Sequence, residues 1–397
     1  MRTGMNIKFK RITGRILSFI MILSVLSAYG CNKGKTIDPN FYPTAVENGS
    51  ETAKETKTEK PQLSDEEILK PENDTFRETG KFEYNPAVIP NWVLEEAKDK
   101  PQLVRVAKDA LVAINNCDTE FTIDEDLKLT QDDIQALYYI IYYSTPLYGV
   151  VLLSETDEKN TYTLDYFPQF VESVDDEGKT SYDVQETDTS EAKETIDAFK
   201  DYVTNLINDN LTSDMSEKEM AAIIYRELVK DIKFEPVSSD SYMGMSPEAF
   251  NSGEIIKGIF DKKYTGGEEF ISLYAFFMAQ LHIDIRTVGT ASGFYTESLK
   301  TTLGDKTPIS YFWGWQVIQL DGEYYNCDIV LEKLVYGQKY GEESGVDPDM
   351  EFFGMSDKER IKSYKVGKAS VFWMDTINPG SASLGNVPNC ENDYDYH

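Results

Sequence analysis

The sequence predicts an α+β protein with an antiparallel sheet, and three stretches carry that expectation. Residues 196–206 and 224–232 place apolar side chains three and four apart, the period of a helix buried along one face. Residues 267–288 run from an apolar helical segment straight into a strand pattern. Residues 309–328, ISYFWGWQVIQLDGEYYNCD, are two aromatic-rich strand patterns joined at Asp321-Gly322, a dipeptide suited to a two-residue hairpin turn.

The first 31 of the 397 residues read as a secretory signal. Arg2, Lys8, Lys10, Arg11 and Arg15 form a basic region, residues 16–26 are apolar, and SAYGC closes on Cys31. The apolar run is short for a membrane span. Small residues before a cysteine resemble a bacterial lipobox, with Ala28 where a branched aliphatic is usual and Tyr29 where a small residue is. That resemblance implies lipidation at Cys31 and a place on the extracellular face of a bacterial cell membrane, attached through the lipid.

Residues 32–85 are rich in Lys, Glu, Thr, Pro and Asn and show no apolar period, so a disordered tether is expected there. Residues 86–205 form a smaller α+β region. Helical spacing covers 91–114 and 130–144, strand patterns follow at 147–155 and 161–170, and the acidic stretch 172–192 reads as a loop. Ile196, Phe199, Val203 and Leu206 then mark an amphipathic helix.

The next helix opens on Ser216 with Glu219 three residues on, a capping box, and buries Ile224, Leu228 and Ile232. After Gly266-Gly267 an apolar helix is expected to about Leu281, then a strand over 283–288, then the hairpin with strands near 311–320 and 324–330. A polar excursion reaches about residue 350, and a main domain spans 206–375. Residues 376–397 read as a flexible tail.

Charge and cysteines narrow the partners. The chain carries 39 Lys+Arg against 69 Asp+Glu. Residues 1–30 hold five of the basic residues and no acidic ones, so the rest has 34 against 69, a net of −35. Such an excess disfavours nucleic acid and anionic membrane surfaces. With Cys31 lipidated, Cys117, Cys327 and Cys390 allow at most one intramolecular disulfide. The chain has no Cys-x-x-Cys pair, and His282 and His397 are its two histidines, so neither a metal site nor a cofactor is expected. The acidic stretch 347–360 lacks the alternating ligands and central Gly of a calcium loop.

The ordered set of helix, Gly-led helix, strand and Asp-Gly hairpin resembles the transglutaminase-like domain of the papain-like fold, over roughly 206–365. The resemblance implies a central helix packed on an antiparallel sheet and a Cys-His-Asp site. Laid onto this sequence, Gly267 stands at the nucleophile position with Phe270 at the aromatic one. Trp313 stands at the histidine position, Trp315 at the family's tryptophan, Gly322 in the turn and Asp328 at the acid.

In such a site a thiolate is stabilised at a helix N-terminus, an imidazole moves its proton, and a carboxylate orients the imidazole. Gly267 offers no side chain, and an indole donates one hydrogen bond but shuttles no proton. The family's reaction is therefore expected to be absent.

Substitutes are poor. Cys327 adjoins Asp328, but alternation along a strand should turn it away from the cleft. Thr265 precedes the helix and Ser272 lies more than a turn inside it, both without a base. His282 sits about 22 Å along the helix from Gly267, and His397 falls in the tail. Asp328 itself is expected to cap or orient backbone groups. The Gly267 and Trp313 exchange suggests that the indole covers Gly267 and fills the slot. A partly exposed ring would instead make Trp313, Trp315, Tyr311 and Phe312 an aromatic platform.

The expected function is that of an inactive domain on a surface lipoprotein, binding a wall component, a peptide or a surface protein. The alternatives are a cysteine-independent peptidase or hydrolase built around Asp328, and a structural spacer.

Overall fold

The structure, a computed structural model, describes residues 63–71, 74–124, 127, 129–147, 151–155, 160–166, 169–174, 180–185, 189–232, 267–290, 293–295, 313–342, 344–366, 369–371 and 387–394. The signal segment with Cys31, Thr265, Tyr311, Phe312 and His397 lie outside them.

Helix α1 (Asp65–Leu69) opens on a Ser64/Glu67 capping box, and α2 (Thr75–Thr79) is capped by the Asp74 carboxylate. Both belong to the packed body. Ile68, Phe76 and Phe82 are buried, and the Asn208 side chain exchanges hydrogen bonds with the backbone of Phe82 at 2.9 and 3.1 Å. The Arg77 guanidinium donates to the carbonyls of Ser213 and Met215. The expected tether of 32–85 is thus corrected at its end, since the chain is packed from Asp65. These apolar residues are too widely spaced to show a period, and distant segments bury them.

Helix α3 (Asn91–Glu96) leads to α4 (Pro101–Asn116), which starts on Pro and ends at Cys117 in the left-handed region, φ 58°. Strands β1 (Glu120–Thr122), β2 (Val151–Glu155) and β3 (Thr161–Tyr166) form an antiparallel sheet ordered β1-β3-β2. Helix α5 (Gln131–Ser144), with a Thr130/Asp133 capping box, lies between β1 and β2 in sequence and packs on α4.

The loop expected over 172–192 is instead a hairpin of β4 (Gln169–Val174) and β5 (Thr180–Gln185) that runs on to α6 (Thr189–Asn210). A two-stranded ladder is satisfied by backbone bonds alone, so acidic composition does not preclude it.

Helix α6 buries Ile196, Phe199, Val203 and Leu206 as its period demands. Helix α7 (Glu217–Asp231) opens on the Ser216/Glu219 capping box and buries Ile224 and Leu228, with Ile232 buried at its C-cap. Helix α8 (Gly267–Gln280) ends at His282, φ 58°, and passes into β6 (Ile285–Thr290). Strands β8 (Trp313–Leu320) and β9 (Glu323–Cys327) make the hairpin. Asp321 (φ 51°) and Gly322 (φ 85°) both occupy the left-handed region that a type I′ turn requires.

The strand order β11-β6-β8-β9, with β11 (Ala369–Val371) at one edge, gives a four-stranded antiparallel sheet against which α8 packs. A short ladder joins β7 (Gly293–Tyr295) to β10 (Tyr364–Val366).

Where a polar excursion is expected, the chain forms α9 (Ile329–Tyr340), so β9 stops at Cys327 rather than near 330. Helix α10 (Asp357–Ser363) follows. The tail expected over 376–397 is corrected where it is described. Residues 387–394 pack back on the body, with Cys390 buried and bonded to Asp357 through both backbone groups.

One hydrophobic core runs through both halves. The Phe276 ring of α8 meets Phe199 of α6 at 5.5 Å and Tyr84 at 5.9 Å, and Gln280 exchanges hydrogen bonds with the Asn85 backbone. The regions 86–205 and 206–375 therefore share their interior. Phe199→Ala should cost about 3–5 kcal/mol and lower a single unfolding transition seen by both circular dichroism and tryptophan fluorescence. Two separate transitions would contradict a shared core.

Candidate functional site

Gly267 opens α8, and Trp313 opens β8 opposite Thr290. The Trp313 ring lies outside the described residues, and with it the expected cover over Gly267. The neighbouring positions are described. The Gln316 amide donates to the Ile271 carbonyl of α8 at 2.9 Å, so this face of β8 looks onto the helix.

Trp315 is on the opposite face and is 1% exposed. Its indole N–H donates to Asn326 Oδ1 at 2.8 Å, and the Arg360 guanidinium stands 4.6 Å from its ring. The aromatic platform expected to include Trp315 is corrected here. The ring is core, because an indole whose N–H finds a buried acceptor loses nothing by leaving water.

Asn326 joins three segments. It pairs with Met355 through both backbone groups at 2.8 and 2.9 Å, and its amide nitrogen donates to the Met355 carbonyl and to Asp357 Oδ1. Nothing in the residue's type announced this role. The one available sign was its place two residues from the acid at the end of an alternating strand.

Asp328, expected at the acid position, is 1% exposed. Its Oδ1 accepts the Leu331 N–H at 2.9 Å as the N-cap of α9. Its N–H donates to the Phe352 carbonyl, and its own carbonyl accepts the Tyr225 hydroxyl at 2.9 Å. The side chain thus serves to start a helix inside the protein.

Cys327 pairs directly with Gln316, and direct cross-strand partners share a face. The thiol therefore looks toward α8, and alternation keeps it off the face that carries Trp315 and Asn326. Burial pushes its pKa well above the ordinary thiol range, which leaves it un-ionised and inert. Ser272 is half-buried within α8. His282 sits at the far end of α8 from Gly267, beside a shallow depression lined by Val88, Asn91 and Lys108.

Helix α9 brings two buried charges that the sequence reading did not reach. Glu332 accepts the Met350 and Phe352 N–H groups at 3.1 and 2.8 Å. Lys333 donates to the Val229 carbonyl at 2.9 Å and meets Glu342 at 2.8 Å. Burial raises the Glu332 pKa to about 8, against the pull of its two N–H donors.

Among the described residues no group of His, Cys, Asp and Glu is placed to hold a metal ion, and no helix is long and apolar enough to cross a membrane. No family model matches the sequence, and no curated protein is significantly similar to it.

Two outcomes test the site. Asp328→Ala should cost about 1–2 kcal/mol through loss of the cap while Asp328→Asn, itself a good cap, keeps most of the stability, as read by urea unfolding. The folded state holds the Glu332 proton up to about 8, whereas the unfolded carboxyl releases it near 4.5. That contribution is complete below pH 4.5 and is lost as pH rises through 8. The urea midpoint should fall over that window, and Glu332→Gln should flatten the fall.

Proposed function

We propose that this protein is a lipid-anchored lipoprotein on the extracellular face of a bacterial cell membrane, and that its transglutaminase-like domain binds instead of catalysing. The observation that carries this reading is the employment of Asp328. The one acid of the three positions has its carboxylate turned to the N-terminus of α9 in the interior. The other two positions are Gly267 and Trp313, a residue without a side chain and one without an exchangeable base.

Support for the transglutaminase-like core comes from its parts in order. Helix α8 begins at Gly267 and packs on an antiparallel sheet, and the β8–β9 hairpin turns at Gly322 and ends beside Asp328. The anchor reading rests on the basic and apolar segments before Cys31. With a net charge of −35 beyond that segment, attachment falls to the lipid and nucleic acid is a poor partner. A wall component, a peptide or a surface protein suits a domain held just outside the membrane.

The test is an assay of the purified protein, with all thiols alkylated, for amide hydrolysis and acyl transfer. No activity above the blank is expected. Turnover that survives alkylation and is lost in Asp328→Asn would establish the hydrolase alternative. In a bacterial host, Cys31→Ser should abolish incorporation of an alkyne-tagged fatty acid and release the protein from the membrane fraction.

A further inference from the structure

Residues 387–394 lie on the body in the manner of a bound peptide. Four hydrogen bonds join them to residues 354–357. The Asp357 N–H donates to the Cys390 carbonyl, the Cys390 N–H to Asp357 Oδ2, the Tyr394 N–H to the Gly354 carbonyl, and the Ser356 N–H to Asp393 Oδ1. Two side chains are anchors. Cys390 is buried, and the Tyr394 ring packs against Tyr325 and Phe353 at 6.1 and 6.0 Å. Between them Glu391, Asn392 and Asp393 are exposed.

The receiving surface is shaped to this contact. Gly354 has φ 71°, and a Cβ there would stand 2.7 Å from Tyr394 Cβ. Lys218 of α7 places its ammonium 5.2 Å from the Tyr325 ring and 5.4 Å from the Tyr394 ring, between two aromatic faces. Backbone bonds with two spaced anchors, and outward residues between, are the pattern of short-peptide recognition.

We propose that residues 354–357, Tyr325 and Lys218 form a docking site for an extended acidic-aromatic peptide, occupied here by residues 387–394 as a displaceable intramolecular ligand. The partner is a peptide with a small apolar anchor followed, three and four residues on, by Asp and Tyr. The aspartate takes the Ser356 N–H and the tyrosine stacks beneath the Lys218 ammonium. A segment on the same chain competes at an effective concentration on the order of millimolar, so it masks the site until a partner is abundant or the segment is loosened. This inference does not depend on the anchor or on the missing catalytic groups, because none of these contacts involves Gly267, Trp313 or Asp328.

The experiment uses the full chain and a fluorescent peptide, VPNAENDY, with alanine for the cysteine. Wild type should bind it weakly, and a folded Tyr394→Ala chain should bind about tenfold or more tightly, because the in-chain competitor is weakened. A probe lacking Asp and Tyr should lose that gain. Equal or absent binding by wild type and folded Tyr394→Ala would overturn the proposal.

Hydrogen exchange in wild type decides the matter independently of that variant's folding. The amides of Ser356, Asp357, Cys390 and Tyr394 should exchange together, about tenfold or more faster than those of Asn326 and Met355. A single common slow rate for all six would show the segment to be an inseparable part of the core, and would also overturn it.

Discussion

A carboxylate taken out of water calls for a donor inside the protein, and for Asp328 the first turn of α9 supplies one. The residue stands where β9 leaves the sheet and α9 begins. Its side chain accepts the Leu331 N–H, its N–H reaches Phe352, and its carbonyl takes the Tyr225 hydroxyl from α7. Strand, helix, the 350–356 segment and α7 are thereby referred to one point. Glu332 one turn on repeats the device by accepting two backbone N–H groups of the same segment.

Around this point the hairpin separates two environments. On the α8 face Gln316 and Cys327 lie side by side, the first bonded to the helix and the second sealed. On the other face Trp315 and Asn326 form a polar seam with Asp357, under the Arg360 guanidinium. Trp315, Asn326 and Arg360 of that seam are buried, which favours rigidity. The polar side chains of the seam are bonded to one another.

The packed ends of the chain follow from the same economy of donors and acceptors. Neither 65–85 nor 387–394 has an apolar period, yet each is fastened by backbone bonds and a few large side chains. Asn208 reads the Phe82 backbone, and Asp357 reads that of Cys390. Such fastening is directional and local, so it can hold a segment that contributes little apolar area.

Local sequence by itself determined the helices with one buried face, the capping box at Ser216, and the I′ turn at Asp321-Gly322. Those features depend on neighbours within a few residues, and that range is printed in the sequence. That residues 267 and 313 are Gly and Trp, where the resemblance would place Cys and His, was equally legible. Helix α9 was not foreseen, although Asp328 before an apolar run is an N-cap pattern, because the hairpin pattern claimed the same residues. Burial of Trp315, the partners of Asn326, the side of the sheet that Cys327 faces, and the docking of 387–394 were decided only in three dimensions. Each depends on a donor, an acceptor or a surface supplied from far along the chain, and no local pattern encodes a partner that distant.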